Sequence, residues 1–308
     1  MTRPLIHLVS VSGGADSLAT WLVALNTQDP ATVRAVTADT GHEHEETYGY
    51  LDYLESRVGP IERLRADFTA QLARKRGYIM EKWLEEGIAA DVCERAAAIL
   101  EPTGIPFLDL CLWKGRFPSR LAQFCTEFLK VQPIGAYVVE LLDAGFDVWS
   151  WQGVRADESD TRRYLPSFEE VGGGLWINRP IIKWPKSACF EAADWCGIEH
   201  NPLYRQGMNR VGCMPCINCS KAELAEIARR FPWFIDRLEE WEALVGIASK
   251  RGAASFFSAP TGDNRGALRG DNIRSYVEWA KTTRGGRQYD LLKSGPAPAC
   301  TSSYGLCE

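Results

Sequence analysis

Ser12-Gly13-Gly14-Ala15-Asp16-Ser17 joins an apolar, β-branched run at residues 5–11 to an Ala/Leu-rich run at 18–25. The junction reads as strand, tight turn and helix, the place where an α/β protein binds phosphate. Two consecutive glycines let the backbone turn sharply and approach a ligand, while the N–H groups and positive dipole end of the new helix face an anion. Ser12 and Ser17 add hydroxyl donors. The loop lacks the Gly-Lys-Ser/Thr ending of a Walker loop and the wider glycine spacing of a dinucleotide fingerprint, so both of those drop out. A Gly-Gly turn capped by serine is the structural alternative; the strand before it and the helix after it favour a binding loop.

Outward from this loop, strand and helix alternate. Residues 33–38 and 61–65 have strand character, and 45–58 carries apolar residues at helical spacing through Tyr48, Leu51 and Leu54. This alternation predicts an α/β fold with a doubly wound, mostly parallel sheet. Residues 69–100 are helical with a break near Gly87, and 104–118 form a Pro/Gly/aromatic connector, an excursion over about 69–130. Helical runs at 119–130 and 134–144 precede a returning strand at 146–152. A polar loop at 153–174, a last strand at 176–182 and a helix at 186–196 complete this part. The chain then changes character, with a Cys/Gly/Pro loop, helices at 221–230 and 233–250, and a basic, Gly-rich tail. The expected division is a nucleotide-binding domain at 1–200 and a cysteine-bearing helical region at 201–308.

The 308 residues, 45% hydrophobic and 24% charged, suit a globular protein with a sizeable core. No apolar run reaches membrane-spanning length and no signal-peptide pattern opens the chain, so a cytoplasmic protein is expected. Ten cysteines in that setting point to metal ligands, redox groups or buried small hydrophobes rather than disulfides. A net charge of −5 argues against a uniformly basic nucleic-acid surface. Residues 250–293 nevertheless carry nine Lys/Arg against four Asp/Glu, with aromatic residues among them. They could hold a nucleic acid or form a solvated tail.

Asp39-Thr40-Gly41 ends the second strand and belongs on the same rim as the first loop. His42, Glu43, His44 and Glu46 follow; they could bind a metal, although Glu in a first helical turn commonly serves the helix dipole. After the returning strand, Arg155 and Arg162 offer planar forks for a phosphate or sulfate, or pair locally with Asp157, Glu158 and Asp160. Cys213, Cys216 and Cys219 stand at three-residue spacing, as an iron–sulfur or zinc centre requires.

The first loop resembles the SGGxDS loop of the PP-loop superfamily, whose members bind ATP or a related adenine nucleotide. Asp39-Thr40-Gly41 with Glu46-Thr47 resembles the DTG…ET segment of its phosphoadenosine-phosphosulfate (PAPS) reductase branch. Gly153 to Arg162 resembles that family's GxRxxxSxxR loop. Residues 125–133 resemble the CCxxRKVxPL segment of iron–sulfur adenylylsulfate reductases, and residues 201–216, Asn201-Pro202-Leu203-Tyr204 through Cys216, their NPLY…SIGCxPCT segment. The resemblance covers residues 5–220 in scattered blocks. It implies an adenine nucleotide α-hydrolase-like fold and a nucleotide site at Ser12, Gly13, Gly14, Asp16, Ser17, Asp39, Thr40, Gly41, Arg155 and Arg162. It also implies a four-iron, four-sulfur cluster on Cys125, Cys213 and Cys216. The second cysteine of the family's pair is Thr126 here, and Cys219 is the candidate replacement; zinc on the same four thiols is the alternative. Lys130 matches a family lysine near nucleotide and cluster. Cys307 stands in a tail only loosely like the family's nucleophile-bearing one.

Two activities follow from the resemblance. In one, ATP activates a substrate, pyrophosphate leaves into the Gly13-Gly14 loop, and sulfur displaces AMP, possible acceptors including nucleic acid; Asp16 would help hold Mg²⁺ or cap the helix. In the other, a cysteine attacks the sulfate of a sulfonucleotide and sulfite is released. Either expects a sulfur or electron donor protein, and a homo-oligomer is also expected. A regulatory nucleotide-binding protein without turnover is the reading from another class.

Overall fold

Six strands form one sheet in the order β3-β2-β1-β4-β6-β5 in a computed structural model that describes residues 3–257 and 271–282. In chain order β1 is Leu5–Ser10, β2 Val33–Asp39, β3 Ile61–Arg65, β4 Asp147–Trp151, β5 Phe168–Gly172 and β6 Leu175–Asn178. All neighbours are parallel except β5 and β6. The chain departs from β1 to β2 on one side and reaches β4 on the other. The β1/β4 crevice is therefore a switch point, where ligands of open α/β sheets bind.

Alternation along β1 assigns the helices to the two faces. Val9 and Val11 face Leu18 and Trp21 of α1 (Ala15–Thr27), Leu54 of α2 (Glu45–Arg57) and Ala193 of α9 (Lys186–Trp195). Ile6 and Leu8 face Ile134, Val138 and Leu141 of α7 (Gln132–Asp143). Apolar burial on both faces supplies the main driving force.

A further buried cluster joins the expected excursion to the C-terminal part. It contains residues of α3 (Thr69–Tyr78), α4 (Ala90–Ala98) and α5 (Pro106–Lys114) with others from α11 (Lys221–Arg230), α12 (Pro232–Ile247) and α13 (Ile273–Ala280). Short helices α6 (Phe124–Thr126), α8 (Asp160–Arg163) and α10 (Pro202–Arg205) lie in the connections. The connector 104–118 contains a helix: Pro106 occupies its first turn, Gly115 ends it in the left-handed region, and residues 106–112 are buried. The polar loop 153–174 contains β5, an exposed antiparallel edge strand. No described helix is long and apolar enough to cross a membrane.

Candidate functional site

The first loop leaves β1 and enters α1 with Gly14 at the N-cap. Gly13 has φ +82°, and a Cβ there would lie 3.1 Å from Thr47 Cγ2. Ser17 Oγ accepts from Ser12 N at 3.1 Å and donates to Gly14 O at 3.0 Å, closing the turn. Gly14 brings no capping side chain, so the amino end of α1 keeps its affinity for an anion. Two residues from far along the chain brace the loop. Asn201 Nδ2 donates to Gly13 O at 3.3 Å, and Ala15 N donates to Tyr204 Oη at 3.0 Å.

The loop after β4 packs onto this turn through Gly153, where a Cβ would meet Asp16 O at 2.9 Å and Ser17 Cα at 3.0 Å. Behind it the two arginines are buried. Arg155 Nε lies 2.9 Å from Asp16 Oδ1, and its guanidinium also pairs with Asp157. Arg162 pairs with Glu158. Asp16 and Arg155 are each only 5% exposed, so their ion pair clamps the two loops together.

On the β2 side, the Asp39 carboxylate accepts from Gly41 N at 2.9 Å and Tyr48 Oη at 2.8 Å, and lies 3.1 Å from Arg65 Nε. Thr40 Oγ1 donates to Glu43 Oε1 at 2.6 Å. Ser12, Ser17, Asp39, Glu43, Tyr48 and Lys130 share the wall of one cavity, with Gly153 and Gly212 beside them. Glu43 and Tyr48 belong to this wall although the motif does not single them out for it. Their signal is position, immediately after a strand's carboxyl end.

Cys213 is brought to this rim by an antiparallel bridge with Glu43, extended by the Met214 N to His42 O bond at 2.8 Å. Its Sγ donates to Glu43 Oε1 at 3.5 Å and lies 3.6 Å from Thr40 Oγ1. His42 and His44 serve the fold. His42 Nε2 lies 3.0 Å from Pro215 O while the ring stacks on Phe107, and His44 Nδ1 accepts from Glu46 N at the start of α2. Burial and nearby Arg237 push the His42 pKa down to about 3, against the Pro215 carbonyl, so the ring is neutral.

Lys130 lies on a π-helical segment, Glu127–Val131. Burial works against its charge, yet neighbouring Cys213, Glu43 and Cys216 outweigh that and raise its pKa. It is the cation of this wall that faces the thiols. Burial in turn raises the Cys213 pKa, with Lys130 opposing, and pushes the Cys125 thiol up to about 11. Cys216 interacts electrostatically with Cys213, Cys125 and Cys219, which makes it the hub of the four. Their donor chemistry fits a thiolate-bound centre, since Cys219 is buried, the other three are partly buried, and soft sulfurs gain from a cation. Among the described residues, however, no three His, Cys, Asp or Glu side chains stand in a ligand arrangement. Cys307 lies outside the described residues.

The glycine loop at the switch point of this α/β sheet shares a cavity wall with Lys130, and Cys213 and Cys216 lie near that lysine. The phosphoadenosine phosphosulfate reductase domain matches residues 6–99 and 109–219, and the chain belongs to that family. It is 47% identical over 325 aligned positions to an uncharacterized 37.8 kDa protein of Escherichia phage 186, covering 98% of this chain and 97% of the relative. An adenosine 5'-phosphosulfate reductase of Mesorhizobium japonicum is 28% identical over 220 positions, 70% of this chain and 68% of that one. The crystal structure of the Candida auris phosphoadenylyl-sulfate reductase covers 69% of this chain and 82% of its own, at 16% identity and a TM-score of 0.42.

Proposed function

We propose that this protein is an adenine-nucleotide enzyme that uses ATP to activate an acceptor for sulfur transfer, releasing pyrophosphate and then AMP. The observation that carries this reading is the complete phosphate loop, with Gly13 in the left-handed region, the Ser12/Ser17 bonds and an uncapped helix end. That loop suits a departing pyrophosphate. Lys130, on the opposite wall, would hold the α-phosphate or stabilise charge on an incoming sulfur. Incubation with α-labelled ATP tests this, with AMP and pyrophosphate in equal amounts as the expected result. ATP left intact in the presence of sulfur donor and nucleic acid rejects it.

Sulfonucleotide reduction is the second reading, favoured by Lys130 of the pocket wall having Cys213 and Cys216 as electrostatic neighbours. Here a thiolate attacks the sulfate sulfur and the nucleotide leaves; a dithiol donor protein then attacks the cysteine sulfur of the S-sulfocysteine, sulfite departs, and the donor's second thiol resolves the mixed disulfide, leaving the donor oxidised and the cysteine free. Sulfite from phosphoadenosine phosphosulfate without ATP consumption selects it.

In either reading Cys125, Cys213, Cys216 and Cys219 would hold an iron–sulfur cluster. Such a group would supply a delocalised, thiolate-bound redox centre near the candidate nucleotide site. Anaerobically purified protein is expected to be brown and to contain about four irons per chain, as four thiolate ligands imply. Cys216→Ala, which removes the hub, is expected to lose most of that iron and the visible absorbance. A colourless protein carrying zinc instead rejects the iron assignment.

A further inference from the structure

Away from the nucleotide site, a cavity of about 830 Å³ opens between α3, the end of α5 and the segment following α12. Its wall carries Arg74, Lys75, Lys114, Arg116, Lys250 and Arg251 and no acidic side chain. In a chain of net charge −5, such a concentration is a local reversal of sign. Some of these cations have structural work. Lys75 Nζ donates to Leu112 O and Ala248 O, both at 2.7 Å, and ties α5 to α12. Lys250 pairs with Glu86, and Lys114 Nζ lies 3.7 Å from the centre of the Trp113 ring. Arg74, Arg116 and Arg251 are exposed, and none forms an ion pair with a carboxylate among the described residues.

Three guanidiniums around one cavity without a carboxylate partner among the described residues, Arg116 lying 5.6 Å from the centre of the Phe124 ring, keep their forks open to an anion. Its aromatic content narrows the anion. Tyr78, 52% exposed, and half-buried Phe257 share the wall with the arginines. Spaced cations beside flat rings hold a single strand, with phosphates on guanidinium and bases on the rings. An acidic peptide would satisfy the cations and leave the rings unused. A volume of 830 Å³ also exceeds what an isolated phosphate needs.

We infer that this cavity binds single-stranded nucleic acid, with Arg74, Arg116 and Arg251 on the backbone and Tyr78 beneath a base. Placement gives the site a purpose. Helix α5 begins at the nucleotide rim, where Phe107 N donates to Thr40 O at 2.9 Å, and ends at Gly115 in the cavity wall. Its nine residues span about 13 Å at 1.5 Å each. A strand seated here lies close enough to present an acceptor to the nucleotide. Only that purpose rests on the proposed sulfur transfer; binding is read without turnover, so either can fail alone.

The test is fluorescence anisotropy with labelled ~12-nucleotide single-stranded DNA and the matching RNA, on the full chain without nucleotide, between about 50 and 200 mM salt. Either strand is expected to bind, with a log–log salt slope near ~−2 for three phosphate contacts. The Arg74→Gln/Arg251→Gln double variant is expected to lose at least about tenfold in affinity and to flatten the slope by ~1.4. Tyr78→Ala is expected to lose at least about fivefold with the slope unchanged. Thermal melts matching the parent protein establish that the variants fold. Failure of both strands to bind overturns the inference, as does a double variant that binds like the parent. Displacement of the strand by polyglutamate at equal charge concentration would show that charge alone is read, and overturns it too.

Discussion

Lys130→Ala lowers kcat at least ~100-fold while the protein stays folded, the scale of loss when one preorganised donor to developing charge is removed. The reasoning starts from its surroundings. Its pKa is raised in spite of burial because Cys213, Glu43 and Cys216 surround the ammonium. It also lines the cavity that holds Ser12, Ser17 and Asp39. A cation kept charged between an anion pocket and thiols is placed for charge that appears during reaction, whether on phosphate, sulfate or sulfur. Single-turnover kinetics with saturating nucleotide measure the loss, and titration calorimetry separates it from binding. Lys130→Arg keeps the charge and is expected to recover part of the rate. Parent-like turnover in Lys130→Ala would remove this residue from the chemistry.

Asp16→Ala is expected to cost about 3 kcal/mol of stability, the low end for breaking a buried ion pair from one side. Asp16 and Arg155 lie 2.9 Å apart, and both are buried. Removing the carboxylate leaves the guanidinium with the more exposed Asp157 and the nearby Glu158 as acidic neighbours among the described residues. Chemical denaturation should show a lower midpoint with an unchanged slope. Replacing both partners, Asp16→Ala with Arg155→Met, should recover part of the loss because no charge is left buried alone. This outcome separates a clamp from a Mg²⁺ ligand. A side chain acting only as a ligand would change metal dependence and leave the denaturation midpoint where it was.

The legible parts of the fold share a physical trait. The strands β1 to β4 and helices α1, α2, α7 and α9 present one apolar face each, or are apolar throughout over a strand's length, so burial is written in their spacing. Helix α5 escaped because residues 106–112 are buried all round, which erases helical periodicity, and because its opening Pro106 reads as a connector. Strand β5 escaped for the opposite reason, since all five of its residues are exposed and it is held by pairing with β6, a Phe168–Trp149 ring contact and the Glu169–Arg179 pair. In the site, Ser12 to Ser17 and Asp39 to Gly41 stood out as loops at strand ends, Cys213 through the spacing of three thiols, and Lys130 only through resemblance. Glu43 had signalled a metal or a helix dipole; its contact with Thr40 is local, whereas that with Cys213 depends on a bridge spanning 170 positions, which no local pattern encodes.

The bracing of the phosphate loop by Asn201 and Tyr204 bears on how the protein is made. Gly13 O and Ala15 N find these partners only after nearly 190 further residues have been joined. A nascent chain therefore carries the glycine turn long before it can hold it still. The brace closes only as the cysteine segment that follows Tyr204 is also emerging, so the two halves of the candidate site come into being together.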